Sequence, residues 1–133
     1  AMTLSDQFCV ERHKKSFLDL VKNKLDIIFA NEQEIKSLIN AKDFNEVVTF
    51  GKQLGKSLII TRGEIGSIAI IKNQVVECDG LKNLKILDLT GAGDLFAAGF
   101  LHGYINNYSI KKSLEQGTEI SAKIIQRIGA RLN

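Results

Sequence analysis

The chain has 133 residues, a length that suits one modest domain. Hydrophobic residues make up 44% and charged residues 25% of the chain, which is typical of a folded globular protein and excludes a disordered one. Its 18 basic and 15 acidic residues give a net charge of +3, and the basic residues are too scattered to predict a nucleic-acid-binding tail.

The first half of the chain predicts helices around one short strand. Ser5 or Asp6 can cap a helix that runs to about Asn23. The apolar run 25–30 predicts a buried strand, followed by a helix from Asn31 and another over about 45–54. The inward stripe of the first helix, at helical spacing, consists of Val10, His13, Phe17, Leu20 and Val21. His13 is therefore expected to be a core or interface residue.

The second half returns to strands before its last two helices. Residues 58–61 predict a buried strand, and 68–71 with 75–76 predict a hairpin. Residues 81–89 are expected to be irregular or extended. The helix from Gly91 to about Tyr108 is apolar nearly all round, so it is expected to be buried. The last predicted helix, about 110–128, has the inward stripe Ile110, Leu114, Gly117, Ser121, Ile124, Ile125 and Ile128.

Strands that alternate with helices favour a layered α/β fold with a partly parallel sheet, and 1–133 is predicted to form a single domain. Thr3 and Leu4 are predicted to be the end of a strand whose beginning is missing. A sheet that starts there would expose an edge, which is a pairing site. The chain is therefore expected to be part of something larger.

The segment 88–94, Asp-Leu-Thr-Gly-Ala-Gly-Asp, carries the strongest chemical signal. Thr90 is predicted to cap the following helix, and each glycine in its first turn costs up to about 1 kcal/mol relative to alanine. One explanation is that backbone amides there must approach an anion closely. Asp94 would then lie beside the anion and could accept a proton from a hydroxyl group. The alternative is a tight turn in which Asp94 only complements the helix dipole.

Two common nucleotide motifs are not matched by this segment. No Lys-Ser/Thr pair follows the glycines, which excludes a P-loop. Phe96 stands where a dinucleotide-binding fingerprint needs its third glycine, which disfavours a hydride-transfer enzyme.

Residues 88–94, followed by Leu-Phe-Ala-Ala-Gly-Phe, resemble the C-terminal signature of the PfkB/ribokinase family of carbohydrate kinases. The resemblance implies the C-terminal part of a ribokinase-like α/β/α fold with a mostly parallel sheet, and transfer of the γ-phosphoryl of ATP to a sugar or nucleoside hydroxyl. It makes Asp94 the catalytic base and Gly91, Ala92 and Gly93 the anion hole. It also suggests Asp88 and Thr90 as a site for a monovalent cation such as K⁺.

Further segments agree with this family in order and position. Residues 61–66 resemble its Thr-x-Gly-x-x-Gly nucleotide loop, which implies nucleotide contacts from Thr61, Gly63 and Gly66, although the pattern is also a common turn. Asn31 and Glu34 match an Asn-x-x-Glu motif that organises Mg²⁺ through water, and they equally match a helix capping box. Thr118 and Ser121 fall where the family lines its adenine pocket, or they are small residues that permit helix packing.

Residues 2–12 and 128–131 look most like the bacterial adenosine-kinase-like branch. Family members are much longer, however, and the substrate-binding and lid half has no counterpart here. The full enzyme is therefore expected to bind ATP and a small sugar or nucleoside. Two alternatives for the chain itself stay open: a catalytically silent, self-associating remnant that forms a homo-oligomer, or one half of a split kinase with a missing-half partner.

The remaining features predict no further ligand. Cys9 and Cys78 have no metal-ligand spacing, and with no signal peptide they are expected to be free thiols of a cytoplasmic protein. No apolar run approaches a membrane span. Neither nucleic acid nor a membrane is expected as a partner.

Overall fold

The computed structural model describes residues 1–4 and 6–131. Its strands are β1 (Met2–Thr3), β2 (Ile27–Asn31), β3 (Ser57–Thr61), β4 (Gly66–Ile71) and β5 (Gln74–Asp79). Its helices are α1 (Gln7–Arg12), α2 (Lys14–Asn23), α3 (Glu32–Ile39), α4 (Phe44–Leu54), α5 (Ala92–Ile105) and α6 (Ile110–Ile125), with a short 3₁₀ turn at Gly63–Ile65.

The five strands form one sheet in the order β1-β2-β3-β4-β5. β1 pairs with β2, and β2 with β3, in parallel, and the sheet as a whole is mixed and mostly parallel. This confirms the predicted α/β class. The chain divides into two compact units, residues 1–62 with 68–75 and residues 63–67 with 76–133. The expectation of a single domain stays a prediction.

The first unit has its core between parallel strands and the helices that follow them. Residues 28–30 and 58–60 are buried on both faces of the sheet, which explains why their sequences are apolar runs without alternation. The side chains that share this core include Leu4, Val10, Val21, Ile28, Ile35, Leu38, Val47, Leu58, Ile60, Ile68 and Ile70.

The first predicted helix is two helices, because His13 leaves the helical region of the backbone at φ −127° and ψ 33°. His13 is exposed, so its placement in the core was wrong, while its place at an interface stays a prediction. Val10 and Val21, on either side of the break, are fully buried as predicted. Asp6 caps α1 by accepting a hydrogen bond from the Cys9 amide at 2.8 Å, whereas Ser5 lies outside the described residues.

The second unit is built on the close packing of α5 against α6. A Cβ added to Gly99 would lie 2.9 Å from the Gly117 Cα, and one added to Gly117 would lie 2.8 Å from the Phe96 carbonyl oxygen. These glycines therefore allow the two helix backbones to approach closely. Phe96 and Phe100 are buried, but Ile105 is 73% exposed, so the prediction of a helix buried all round was wrong for one side of α5.

Two predicted helix ends differ from the observed ones. α5 begins at Ala92, and its N-cap is Gly91 in the left-handed region at φ 79°; Thr90 does not cap it, because the Thr90 hydroxyl donates to Asp88 instead. α6 ends at Ile125, and Ile128, predicted to face inward, is 87% exposed. Among the described residues, no helix has the length and apolar character needed to cross a membrane.

Candidate active site

In the first unit, Asn31 and Glu34 form a reciprocal capping box at the start of α3. The Asn31 side chain accepts from the Glu34 amide at 2.8 Å, and the Glu34 Oε2 accepts from the Asn31 amide at 2.9 Å. The Asn31 Nδ2 also donates to the Glu34 Oε1 at 3.0 Å. Both Glu34 oxygens are thus fixed by one residue, and the predicted capping-box interpretation is confirmed.

Glu34 is also buried, with only 7% of its surface exposed. Burial raises the pKa of Glu34, the negative charge of Asp6 raises it further, and the hydrogen bond from the Asn31 amide opposes both effects. Sequence reasoning identified Asp6 only as a helix cap. Its approach to Glu34 depends on the fold, and no spacing in the sequence indicates it.

Asn31 and Thr61 lie side by side, because they are register partners at the carboxyl ends of the parallel strands β2 and β3. In open parallel sheets this edge is where ligands bind. The structure therefore brings together two of the predicted site residues, which stand far apart in the sequence.

An ion-pair cluster that sequence reasoning missed links the residues next to these two. Glu32, adjacent to Asn31, contacts the Lys36 Nζ at 2.8 Å and the Arg62 Nε, adjacent to Thr61, at 3.2 Å. The hydrogen bond from Lys36, followed by the contributions of Arg62, lowers the pKa of Glu32. The Arg62 guanidinium also lies 3.7 Å from the centroid of the Phe44 ring. These contacts fix the ends of β2 and β3 relative to each other.

In the second unit, the loop at 63–66 returns the chain sharply towards the end of β5. Gly66 has φ 124°, and a Cβ there would overlap the Cys78 carbonyl oxygen, so only glycine fits. The Gly80 amide donates to the Ile65 carbonyl at 3.2 Å. By contrast, a Cβ on Gly63 would meet no atom within 4 Å in the part of the chain that the structure describes. Gly66 is thus required by the fold, and Gly63 by its left-handed backbone alone.

The turn that precedes α5 is organised by Asp88. Its Oδ1 accepts from the Thr90 amide at 2.9 Å and from the Thr90 hydroxyl at 2.6 Å, and its Oδ2 accepts from the Gly129 amide at 3.0 Å. The Thr90 hydroxyl, followed by the Gly129 and Thr90 amides, lowers the pKa of Asp88. The predicted cation ligands therefore already contact each other and a distant part of the chain.

The first turn of α5 presents donors and a carboxylate to the outside. The Ala92 amide donates to the Leu89 carbonyl at 3.2 Å, but within residues 1–4 and 6–131 the amides of Gly93 and Asp94 have no hydrogen-bond partner. A Cβ on Gly93 would meet no atom of the described residues within 4 Å, so packing against them does not explain this glycine. Asp94 is exposed, so its carboxylate is accessible to a substrate.

Thr118 and Ser121 lie one turn apart on α6, and both are half-buried. The Thr118 hydroxyl donates to the Leu114 carbonyl at 2.9 Å and lies 3.9 Å from the Cys78 Sγ. Their role in an adenine pocket stays a prediction. Within the part of the chain that the structure describes, no group of three or more His, Cys, Asp or Glu side chains could hold a metal ion alone.

Residues 2–133 match the pfkB family carbohydrate kinase domain. A probable sugar kinase from Rhizobium etli superposes with a TM-score of 0.93 at 39% identity, over 98% of this chain and 40% of that one. The adenosine kinase from Sinorhizobium meliloti superposes with a TM-score of 0.93 at 36% identity, with the same coverage. A nucleoside kinase from Methanocaldococcus jannaschii is 28% identical over 90% of this chain and 39% of its own.

The first unit carries a helix-capping carboxylate at its parallel-sheet edge, and the second unit carries an exposed aspartate at a glycine-rich helix start. The chain belongs to the pfkB family of carbohydrate kinases. Its similarity to the bacterial adenosine kinase confirms the predicted branch. The chain spans about two fifths of the length of these relatives.

Proposed function

We propose that this chain is the catalytic module of an ATP-dependent phosphotransferase that acts on a hydroxyl group of a sugar or nucleoside. The first turn of α5 carries the proposal, because it combines the exposed Asp94 carboxylate with two amides and a space over Gly93 that no described residue occupies. The nucleoside and sugar kinases among its relatives support this acceptor class.

In this proposal Asp94 accepts the proton of the acceptor hydroxyl as its oxygen forms a bond to the γ-phosphorus of ATP. The bond between that phosphorus and the bridging oxygen breaks, and ADP leaves with the electron pair. The amides of Gly93 and Asp94 point out of the helix N-terminus, where the dipole stabilises negative charge on the transferred group. Ala92 contributes less as a donor, because its amide is already engaged by Leu89.

The residues of the first unit fit a magnesium ion. Glu34 and Asp6 offer two carboxylates, and Mg²⁺ in kinases is typically bound by one or two carboxylates together with substrate phosphates and several waters. We propose that Glu34, held by Asn31, contacts the ion through water. Bound there, Mg²⁺ neutralises phosphate charge. Thr61, Gly63, Gly66, Thr118 and Ser121 are proposed to contact the nucleotide.

A second candidate function is nucleotide binding without turnover by this chain alone. The observation that favours it is length, since the chain corresponds to about two fifths of each relative. Residues that select the acceptor would then come from another segment or a partner polypeptide. Association through the edge of β1 stays a prediction, as does K⁺ binding at Asp88 and Thr90.

The assignment of the base is tested with Asp94→Asn in the protein that carries this chain, with any segment or partner it needs present. Turnover with sugar and nucleoside acceptors should fall by about 10²- to 10⁴-fold, because a general base is lost, while Mg²⁺–ATP affinity changes little. Asp79→Asn, which neutralises another exposed aspartate of the same unit, is the control and should keep full activity. Turnover of Asp94→Asn close to that of the wild type would contradict the assignment.

A further inference from the structure

The hydrogen bonds of Asp88 join two segments of the second unit. One carboxylate oxygen accepts from Thr90, just before α5, while the other accepts from the Gly129 amide after α6. A single side chain therefore connects the start of one helix to the segment that follows the other.

Neighbouring contacts strengthen the same connection. The amides of Leu87 and Asp88 both donate to the Ile125 carbonyl, at 2.7 and 3.2 Å. A Cβ added to Gly91, the N-cap of α5, would lie 2.9 Å from the Ala130 Cβ. The turn before α5 thus lies directly on residues 125–130.

These contacts also account for the end of α6. In a continuing helix, the Ile125 carbonyl would accept from the Gly129 amide. Instead, Leu87 and Asp88 take the carbonyl, and the Asp88 carboxylate takes the amide. The Ile125 carbonyl and the Gly129 amide, which would bond to each other in a longer α6, both bond to the turn that precedes α5.

We infer that Asp88 is a positioning residue, which holds the first turn of α5 in the orientation that its amides need to receive a phosphoryl group. The inference rests on the proposed anion-binding role of that turn. Asp88 acts through Thr90 and Gly129 and has no need to touch the substrate.

An aspartate side chain suits this role better than any other side chain of its size. An aspartate accepts hydrogen bonds on both oxygens, whereas an asparagine accepts on one and donates from the other end. Asp88→Asn can keep the bonds from Thr90, but its amide group then faces the Gly129 amide, donor against donor. Asp88→Asn should therefore break the connection to residues 125–130 and keep the hydrogen bonds of the local turn.

The test compares Asp88→Asn with wild type and with Asp79→Asn as the matched control, in the full chain. Amide hydrogen exchange, measured without nucleotide, reports on the hydrogen bond from the Gly129 amide to Asp88. Exchange at Gly129 and at residues 89–94 should rise by about tenfold or more in Asp88→Asn, since a charge-assisted hydrogen bond is lost. Exchange elsewhere in the second unit should stay within about twofold, because α5 and α6 remain packed. Unchanged exchange at both segments would overturn the inference.

Nucleotide binding then separates a positioning role from a merely local structural one. Mg²⁺–ATP affinity should fall by about tenfold in Asp88→Asn without a matching loss of thermal stability. Unchanged Mg²⁺–ATP affinity in Asp88→Asn, or a loss of affinity matched by a loss of thermal stability, would overturn the inference. If wild-type protein binds no nucleotide, the proposed function fails, and the positioning inference fails with it even where exchange confirms the connection.

Discussion

At the scale of single residues, Glu34 shows how one side chain serves both the fold and the proposed chemistry. Its carboxylate completes the capping box of α3, and its burial beside Asp6 raises its pKa. A buried carboxylate with a raised pKa destabilises the folded state when it ionises. Such a cost is expected where a residue is kept for function, although ion-pair networks can also shift a pKa.

The raised pKa of Glu34 has a defined consequence for stability. Above its ordinary value of 4.5, the unfolded state loses a proton that the folded state keeps until the raised pKa is reached. The free energy of unfolding should therefore fall as the pH rises through this window. Glu34→Gln stays neutral and can still accept from the Asn31 amide, so this contribution should disappear.

Denaturant unfolding at a series of pH values from 4.5 upward measures the effect on Glu34→Gln and wild type together. The difference in free energy of unfolding between the two proteins should change across the window. Parallel pH curves would show that Glu34 keeps its ordinary pKa and that burial does not govern its ionisation.

Several residues of the site could be predicted from sequence because their motifs are local. Asn31 with Glu34, and Gly91 with Asp94, each lie within one helical turn, so spacing alone places them together. Asp6 and the bridge from Asp88 to Gly129 could not be predicted, since they depend on tertiary contacts between segments far apart in the chain. Arg62 was missed because an arginine in a turn is more often solvated than paired.

At the scale of elements, the start of α5 concentrates the proposed chemistry, and its two glycines have different roles. Gly91 has a left-handed backbone and lies against Ala130, so the fold requires it. Gly93 has neither constraint. A glycine in a helical turn without a packing reason indicates that something outside the chain must come close.

This difference predicts opposite outcomes for two alanine substitutions. Gly91→Ala should lower the free energy of unfolding by about 1–3 kcal/mol, through backbone strain and contact with Ala130. Gly93→Ala should keep or raise stability, by up to about 1 kcal/mol, yet reduce Mg²⁺–ATP affinity by at least about tenfold because its methyl group occupies the anion's approach. Thermal unfolding and calorimetric titration give the two quantities. Unaltered Mg²⁺–ATP affinity in Gly93→Ala would contradict the proposed anion hole.

The strands and most helices could be predicted because apolar runs and helical periodicity are strong signals. The break at His13 could not, since the apolar spacing continues on both sides of it although the His13 backbone leaves the helical region. The end of α6 was missed for a similar reason. Periodicity extends to Ile128, but the Ile125 carbonyl bonds to Leu87 and Asp88 instead of continuing the helix.

At the scale of the whole molecule, the chain corresponds to about two fifths of the relatives' length, and it carries three segments that resemble motifs of the family. Each of its two compact units contributes motif residues of its own. The fold class and family could be predicted from three motifs in order, whereas the acceptor could not, because no residue here is predicted to select it.

The most direct test of the central claim is calorimetric titration of this chain with Mg²⁺–ATP, on protein whose mass and folding are checked by light scattering and circular dichroism. The proposed function predicts saturable binding with micromolar to low-millimolar affinity, reduced in Gly93→Ala. Well-folded protein that releases no heat of binding over this range would contradict it, and the family motifs would then have no nucleotide-binding role in this chain.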